Sequence, residues 1–372
     1  MVTTVAFYLP QYHPIAENDQ WWGAGFTEWT NVARARPRFK GHYQPHIPGE
    51  LGYYDLRLAD SRDQQGALAK QHRVDAFAYY HYWFNGKQLL ERPLNEVLHT
   101  KSPDQQFMIA WANENWTRTW DGEERSVLAH QDYENYNPDA HIEWLAPAFS
   151  DPRYVTVDGK PIWMIYTASD LPDPAATVAA WRAAATRRGF DDLYICAILA
   201  RRPLSTEQAL TAGFDAVVEF APQFYPHQRN WRTKLTLPAR AWNKLAAGKL
   251  GFGKIDHLNI YDYDKVAADG LRRVADGRIV THPCVSPGWD NTARRPTTGQ
   301  VCQNDDPALY GKWLEHAVHR ASANPPGQQL VFINAWNEWG EGCHLEPDLR
   351  HGRAWLEATR DAVERGERES AR

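Results

Sequence analysis

The chain has 372 residues, of which 43% are hydrophobic, 13% aromatic and 23% charged, and its formal net charge is -5. This composition excludes a disordered chain, and no apolar run approaches the roughly 20 residues of a membrane-spanning helix. Forty-one basic against 46 acidic residues give no electrostatic basis for binding nucleic acid or an anionic membrane. The unusual feature is the content of 17 Trp, 17 Tyr and 13 Phe, because aromatic rings can stack on sugars as well as pack cores.

The N-terminal residues and the cysteines bear on the cellular compartment. The first residues lack the basic region and long apolar segment of a signal peptide, which predicts a cytoplasmic protein. The four cysteines form no C-x-x-C pair and are too few for a disulfide framework. We therefore expect Cys196, Cys284, Cys302 and Cys343 to be buried free thiols.

Eight short apolar runs predict parallel strands buried on both faces, because their apolar residues are continuous rather than alternating. The runs are residues 4–9, 75–83, 107–112, 161–167, 192–199, 214–220, 278–285 and 330–335. Helical patterns lie between several of them, at residues 57–73, 174–189, 205–212 and 307–323. Strand–helix alternation repeated eight times predicts an α/β fold, the (β/α)8 TIM barrel. A doubly wound sheet is the alternative, but no G-x-G-x-x-G turn follows the first strand to support a dinucleotide site.

The chain is long for a simple barrel, and the extra length falls in two loops. Residues 10–56 follow the first predicted strand, and residues 221–277, which are basic at first, follow the sixth. We find no low-complexity linker and no internal repeat. The sequence therefore predicts one catalytic barrel over residues 1–357, followed by a polar helix end or tail over residues 358–372.

Candidate ligand-binding residues follow the predicted strands, because the active sites of such barrels lie at the carboxyl ends of their strands. Amides and carboxylates hydrogen-bond sugar hydroxyls, and Trp and Tyr rings present apolar faces to sugar C–H groups, so we expect an oligo- or polysaccharide substrate. Glu28 and Glu219 have an equally plausible alternative role as core glutamates paired with arginine. The candidates are Gln11, Tyr12, Glu28, Trp29, Tyr80, His81, Tyr82, Trp83, Trp111, Asn113, Glu114, Asn115, Trp116, Tyr166, Glu219, Trp289, Trp336, Asn337 and Glu346.

Two carboxylates three residues apart, Glu338 and Glu341, follow the last predicted strand. Cleavage of a glycosidic bond requires one carboxyl group to protonate the leaving oxygen and another to stabilise or attack the opposite side. A pair of solvated surface glutamates is the ordinary alternative, but Trp336 and Trp339 flank the pair and reduce its contact with water. We therefore expect Glu338 and Glu341 to be the catalytic residues.

Metal-binding patterns are weak. His42 and His46 have helical i,i+4 spacing, but Pro45 between them argues against the helix that would align them. Asp262 and Asp264 resemble the Asp-x-Asp pair of some sugar-nucleotide transferases, yet they lead into a helical pattern and favour a helix N-cap. We expect no metal and no cofactor.

Long motifs resemble the WbsX-type proteins of bacterial surface-polysaccharide gene clusters, from residue 5 to about residue 357. That family is labelled glycosyltransferase, yet it is similar to glycoside hydrolase family 99, the endo-α-mannosidases and endo-α-mannanases. The N-E-W-x-E-G motif of family 99 matches residues 337–342, and the resemblance implies a (β/α)8 barrel without a catalytic metal. The motifs are FYLPQYHPIAENDQWWGAGFTEWTNV, GHYQPHIPGELGYYDLR, YYHYWFNGK, WANENWTRTWDG and INAWNEWGEGCHLEPD.

The resemblance to family 99 also implies roles for the two glutamates. Glu338 would remove the proton of the sugar 2-hydroxyl, and Glu341 would protonate the leaving oxygen and then activate water. The implied reaction is retaining hydrolysis of an α-manno-configured sugar, mannose or a 6-deoxy relative such as rhamnose, through a 1,2-anhydro sugar instead of the usual glycosyl-enzyme ester. A glycosyltransferase of O-antigen or capsule assembly and a glycan-binding barrel without turnover remain the alternatives.

Overall fold

Parallel strands enclose the core in the computed structural model of the chain, which describes residues 1–118, 123–200, 202–235, 237–242 and 256–370. The strands are hydrogen-bonded in the order β7-β6-β5-β4-β3-β2-β1-β9-β8. Their bounds are β1 Thr3–Tyr8, β2 Ala76–Phe84, β3 Gln106–Trp111, β4 Lys160–Ile165, β5 Tyr194–Leu199, β6 Ala216–Glu219, β7 Val280–His282, β8 Cys284–Val285 and β9 Leu330–Ile333.

β7 and β8 occupy one position of the barrel and are separated only by Pro283. Proline has no backbone N–H to continue the ladder, so the seventh predicted strand is split at this residue. The Pro283 carbonyl still accepts a hydrogen bond of 2.8 Å from the backbone N–H of Phe332 in β9, which links the two sides of the barrel. The expected (β/α)8 barrel is therefore confirmed, and each predicted strand lies within two residues of its observed bounds.

Helices cover the outside of the barrel and carry parts of its long loops. The predicted helices over 57–73, 174–189, 205–212 and 307–323 are confirmed as α3, α6, α7 and α11. The bounds are α1 Ala16–Trp22, α2 Glu28–Arg34, α3 Ala59–Gln71, α4 Arg92–Thr100, α5 Pro138–Phe149, α6 Pro174–Arg187, α7 Thr206–Ala212, α8 Trp231–Leu235, α9 Leu237–Trp242, α10 Tyr263–Leu271, α11 Pro307–Ser322 and α12 Ala354–Ser370. Among the described residues, no helix is long and apolar enough to span a membrane.

The two long loops contain structure of their own. Loop 10–56 carries α1 and α2, and loop 221–277 carries α8 to α10 and a short strand, Asn259–Asp262, that pairs with Gln300–Gln303. Part of the basic stretch predicted in the second loop, including Lys244 and Lys249, lies outside the described residues. Both loops follow barrel strands, so they extend the carboxyl end of the barrel, where the candidate residues gather.

The last helix, α12, belongs to the barrel. The boundary expected at residue 357 falls inside this helix, and its apolar residues Leu356, Ala362 and Val363 are fully buried beside α11. Near its end, Glu367 accepts a hydrogen bond of 2.9 Å from the backbone N–H of Val2. Residues 358–370 therefore form the end of a helix that packs beside α11. The four cysteines are buried and free, as expected.

Candidate active site

A cavity of about 260 Å³ opens at the carboxyl ends of the barrel strands. Its walls come from the ends of β1, β2, β3, β4 and β6 and from the loops that follow β8 and β9. This is the position that the fold predicts for a ligand site. The candidates that the structure brings together here are Gln11, Tyr80, Tyr82, Glu114, Asn115, Trp116, Tyr166, Glu338 and Glu341.

Three carboxylates surround the guanidinium of Arg294 at the base of this cavity. Nη2 of Arg294 lies 2.8 Å from Glu338, and its Nη1 lies 3.1 Å from Glu341. Its Nε donates to Glu28 at 2.8 Å, and Glu28 itself is fully buried. One cation thus joins both predicted catalytic residues to a third carboxylate. Arg294 was not among the sequence candidates.

The backbone that carries the two glutamates is tightly constrained. Asn337–Glu338 pairs antiparallel with Cys343–His344, and the turn Trp339–Glu341 connects them. A Cβ atom at Gly340 would lie 1.8 Å from a carboxylate oxygen of Glu28, so only glycine leaves room for the Arg294–Glu28 pair. Gly342 has a φ of +56°, which favours glycine. The glycines of this motif are therefore required by the arrangement of the charged groups around it.

Burial shifts the protonation of Glu338 and Glu341. Removal from water raises the pKa of Glu338 to about 8, and it also raises the pKa of Glu341. Arg294 lowers both pKa values, and Arg295 also lowers that of Glu341, but burial has the larger effect. The pair of catalytic candidates therefore retains a proton near neutral pH, which is the state that can act as acid and base together.

The remaining walls suit a sugar ring. Tyr80, Tyr82, Trp116 and Tyr166 present aromatic rings to the cavity. Gln11 is only 3% exposed, and its Nε2 has no hydrogen-bond partner among the described residues. A buried donor without a partner is uncommon and is available to a ligand hydroxyl.

Two further polar candidates line the cavity and also hold its loops. Glu114 accepts a hydrogen bond of 3.2 Å from the hydroxyl of Thr167. The side-chain oxygen of Asn115 accepts one of 2.6 Å from the backbone N–H of Gln131. Each residue can still offer the rest of its polar group to a ligand, because a carboxylate and an amide each have further hydrogen-bonding capacity.

Three predicted sugar-binding residues lie on the other side of the barrel wall. His81 and Trp83 alternate with Tyr80 and Tyr82 along β2, so they point away from the cavity. His81 Nε2 lies 2.9 Å from Nε2 of His141 in α5, and the Trp83 ring stacks on His141 at 4.6 Å. Trp111 is fully buried in the same cluster. These residues pack α5 against the barrel, which corrects the expectation that they contact sugar.

Two predicted amides have structural roles. The side chain of Asn337 accepts a hydrogen bond of 2.7 Å from the backbone N–H of Leu9 and donates one of 3.0 Å to the Leu9 carbonyl. Asn113 forms the equivalent pair with the backbone of Thr167, at 2.8 and 2.9 Å. Both amides fix loops at the rim of the cavity and have no exposed face to offer a ligand.

Glu346 is a buried carboxylate outside the cavity. It accepts hydrogen bonds from Trp339 Nε1 at 2.6 Å, from the Tyr54 hydroxyl at 2.8 Å and from Gln65 Nε2 at 2.6 Å. Burial raises its pKa to about 7. Its donors are neutral, and it does not line the cavity, so the predicted contact with substrate is replaced by a structural role.

Two aromatic candidates belong to the layer beneath the cavity. The hydroxyl of Tyr12 donates to the carbonyl of Asn337 and accepts from the backbone N–H of Trp339. Trp29 packs against Tyr12 and Trp339, with ring centroids 4.5 and 5.6 Å apart. Both support the loop that carries the catalytic candidates from behind rather than contacting a ligand.

The remaining candidates also lie away from the cavity. Glu219 forms two hydrogen bonds of 2.9 Å with Arg320, which confirms the alternative of a core glutamate paired with arginine. Trp336 is fully buried and packs on Phe77. Trp289 lines a separate cavity of about 60 Å³. Sugar contact is therefore not supported for these three residues, because none of them lines the main cavity.

The two sequence patterns considered for metal binding form ion pairs in the structure. His42 pairs with Asp290 at 2.6 Å rather than with His46. Asp262 precedes α10 but forms an ion pair of 2.7 Å with Lys265, and its side chain does not cap the helix. Neither pattern contributes to the main cavity.

One group of potential metal ligands remains in the described part of the chain. Buried ligand atoms of His46, His344 and Asp348 lie within 4.8 Å of one another. The two imidazoles are 2.9 Å apart, and Nδ1 of His344 bonds the carbonyl of Glu346. None of the three lines the cavity that holds Glu338 and Glu341.

Several cavity residues have no counterpart among the sequence candidates. Arg294 follows the seventh predicted strand, in the same loop as Trp289. Arginines in loops are usually solvated, so the sequence alone gave no reason to select one. The additional residues are Leu9, Trp22, Ala112, Leu128, Phe220, Asn291, Arg294 and Arg295.

The barrel with this cavity at its carboxyl end has a glycoside-hydrolase-like fold. A glycoside hydrolase-like protein aligns with a TM-score of 0.59 and 15% identity, over 97% of this chain and 94% of that chain. An endo-α-mannosidase of family GH99 from Bacteroides thetaiotaomicron aligns with a TM-score of 0.57 and 14% identity, over 99% of this chain and 98% of that chain. At these identities, the similarity establishes the fold.

The family model described as "Glycosyltransferase WbsX" matches residues 4–359, and the chain belongs to this family. Two proteins named WxcX and described as uncharacterized, from Xanthomonas campestris pv. campestris strains B100 and ATCC 33913, are each 40% identical over 364 residues. The match covers 98% of this chain and 50% of each relative, so the chain spans about half the length of these curated relatives. The family resemblance of the sequence motifs is thereby confirmed.

Proposed function

We propose that the chain is a retaining glycoside hydrolase acting on α-manno-configured residues, mannose or a 6-deoxy relative such as rhamnose, of a bacterial surface polysaccharide such as an O-antigen. The observation that carries the proposal is that Glu338 and Glu341 line one cavity and contact the same guanidinium. The similarity in fold to a protein named endo-α-mannosidase supports the choice of sugar. The aromatic walls of the cavity support a carbohydrate ligand.

In the first step, Glu341 gives its proton to the leaving glycosidic oxygen while Glu338 takes the proton of the sugar 2-hydroxyl. The oxygen O2 attacks C1 from the face opposite the leaving group, the glycosidic bond breaks, and a 1,2-anhydro sugar forms. Attack from that face requires O2 to lie anti to the leaving group, which the α-manno configuration provides. Glu341 ends this step as a carboxylate and Glu338 as a carboxylic acid.

In the second step, Glu341 takes a proton from water as the water oxygen attacks C1. The bond between C1 and O2 breaks, and Glu338 returns its proton to O2. Two inversions at C1 give net retention, and both glutamates regain their starting protonation states. Burial raises the pKa of both carboxyl groups, which favours one proton shared by the pair near neutral pH. The proposed cycle requires this proton to lie on Glu341 at its start.

Arg294 has a positioning role in this scheme. Contact with both carboxyl groups fixes their separation and offsets the negative charge that moves from one to the other during each step. The hydrogen bond of 2.8 Å to Glu28 fixes the guanidinium in turn. The fully buried Glu28 therefore supports the catalytic pair without contacting the sugar.

The proposal is tested by incubating the protein with a panel of bacterial surface polysaccharides and aryl α-glycosides and analysing the products. We expect release of α-manno-configured sugar, with the α-anomer formed first in proton NMR spectra. Glu341→Gln serves as the inactive variant and Glu346→Gln as its matched control, because both change a buried carboxyl group but only Glu341 lines the cavity. Release of the β-anomer first, or equal loss in both variants, would contradict the proposal.

A glycosyltransferase is the second candidate, and the description of the matching family favours it. The same protein is offered sugar nucleotides with an acceptor glycan, with and without Mg²⁺ or Mn²⁺. Transfer that requires the sugar nucleotide would replace the hydrolase proposal. Binding of glycan without turnover in either assay would favour a binding barrel instead.

A further inference from the structure

A second cavity of about 400 Å³ lies beside the candidate active site. Trp22 and Arg294 line both cavities, so the two spaces are neighbours along one cleft. The second cavity adds the rings of Trp21 and Phe26 to that of Trp22. Aromatic surfaces in succession are suited to a ligand that extends beyond one sugar ring.

The opposite wall of this second cavity is cationic. Arg34, the last residue of α2, is followed by Arg36 and Arg38, and all three line the cavity. The backbone after the helix is extended, with φ of −60° and ψ of 147° at Ala35. Arg36 and Arg38 follow in this segment, and both side chains line the cavity.

Two of these arginines have no carboxylate partner in the described part of the chain. Arg38 donates to the carbonyl of Pro296 at 2.8 Å and lies 3.3 Å from Asp256. Arg34 and Arg36 are exposed, and neither forms an ion pair or a hydrogen bond within the described ranges. The cleft is therefore polarised, with a carboxylate cluster at one end and unpaired guanidinium groups at the other.

We propose that the second cavity binds an anionic group of the glycan, a carboxylate or a phosphate, next to the sugar held between Glu338 and Glu341. Guanidinium groups bind both oxyanions through paired N–H donors, and the neighbouring tryptophan rings cover the attached sugar. The substrate class is thus an acidic polysaccharide, containing uronic acid or phosphorylated sugar. This assignment rests on the proposed function for the identity of the neighbouring site, but its test measures binding and not turnover.

The test is isothermal titration of the Glu341→Gln protein with two matched pairs of oligosaccharides. One pair is a disaccharide of α-mannose linked to a uronic acid and its methyl ester, and the other is α-mannobiose with and without a 6-phosphate. We expect the anionic member of at least one pair to bind about tenfold more tightly than its neutral partner. The pair that responds distinguishes carboxylate from phosphate. The preference should weaken as NaCl is raised from about 50 to 300 mM, because salt screens exposed charges.

Variants of the cavity residues test whether the arginines cause the preference for the anionic oligosaccharide. Arg34→Ala and Arg36→Ala should each reduce it about two- to fivefold, the range expected for exposed charge pairs, and the double variant should abolish it. Trp22→Ala should weaken both members of a pair equally. Arg368→Ala, near the end of α12 at the opposite end of the barrel, is the control that removes one surface cation without effect.

Equal binding of charged and neutral members, a preference that survives in the double variant, or no binding of any of the four oligosaccharides would overturn the assignment. Failure of the proposed hydrolysis would be detected in a different experiment, the analysis of products formed by the wild-type protein. An anionic preference without hydrolysis would therefore leave the acidic glycan site standing while rejecting the hydrolase.

Discussion

Neighbouring residues of β2 have opposite roles, although their side chains are equally suited to sugar. Tyr80 and Tyr82 line the cavity, whereas His81 and Trp83 pack against α5 behind the strand. The difference arises from the alternation of side chains along a strand, because successive residues point to opposite faces. Residue type at the end of a barrel strand therefore does not identify a ligand contact until the facing of each side chain is known.

The glutamates of the last loop show the same contrast in their charge environment. Burial raises the pKa values of Glu338, Glu341 and Glu346. The first two face a cavity and share a cation, whereas Glu346 is enclosed by three neutral donors. A raised pKa alone thus marks burial, and only the adjoining cavity marks a candidate for catalysis.

The largest expected effect comes from the glutamates that face the cavity. Glu341→Gln should lose about 10²- to 10⁴-fold in kcat/KM on a substrate with a poor leaving group, since it can no longer protonate the leaving oxygen. A glycosyl fluoride, which needs little protonation, should recover much of this loss. Glu338→Gln should remain severely impaired on both substrates, because the displacement by O2 still needs a base. Equal losses of Glu341→Gln on the two substrates would remove its assignment as the acid.

A matched pair of tryptophan variants tests the two faces of the barrel wall. Trp83→Ala should lower the free energy of unfolding by about 3–5 kcal/mol, because it opens a hole in buried packing, with little effect on KM. Trp116→Ala should raise KM about tenfold through loss of ring stacking, with a much smaller effect on stability. Thermal denaturation and initial rates below the melting temperature separate the two. If Trp83→Ala raised KM in the folded enzyme, the assignment of faces would be wrong.

Glu346 should make stability depend on pH. Its pKa is about 7 in the folded chain and 4.5 for an ordinary glutamate, so between these values only the folded state holds the proton. The contribution of Glu346 to the free energy of unfolding is therefore fully present at low pH. It falls by on the order of 3 kcal/mol as pH rises through this window. Glu346→Gln should flatten this part of the stability–pH curve measured by urea denaturation. If the slope of stability against pH were unchanged in Glu346→Gln, the proton taken up on folding would belong to another group.

The smallest expected effect is that of metal removal. EDTA should leave the rate unchanged, because the guanidinium of Arg294 already pairs with Glu338 and Glu341, the carboxylates that a divalent cation would otherwise bind. A lower melting temperature with an unchanged rate would locate an ion at His46, His344 and Asp348, away from the substrate. Loss of rate restored by Mn²⁺ or Mg²⁺ would instead favour the transferase.

Much of the fold follows from the sequence, because continuous apolar runs are the direct signature of strands buried on both faces. The helix α5 is harder to predict, since prolines begin it and interrupt it at Pro138 and Pro147. The break of the seventh strand is also harder to predict, because a single proline, Pro283, interrupts an apolar run that otherwise has the pattern of one strand.

The site was only partly predictable. The positions of Glu338 and Glu341 followed from a motif, but the bridging role of Arg294 depends on a contact between segments that are 44 residues apart in sequence. Trp111 and Asn337 are residue types that bind sugars, and both follow barrel strands. In the structure, however, Trp111 packs against α5 and Asn337 hydrogen-bonds the backbone of Leu9. Contacts of this kind join segments that are distant in sequence, so residue types along the chain do not predict them.

The central claim is that O2 of the sugar, freed of its proton by Glu338, displaces the leaving group. The most direct test compares the hydrolysis of an aryl α-glycoside that the protein cleaves with that of its 2-deoxy analogue. We expect the analogue to bind but to resist hydrolysis, even though removal of O2 makes glycosides intrinsically easier to cleave. Brisk hydrolysis of the 2-deoxy analogue, or an ester adduct on Glu338 detected by intact mass with a 2-fluoro substrate, would contradict the account.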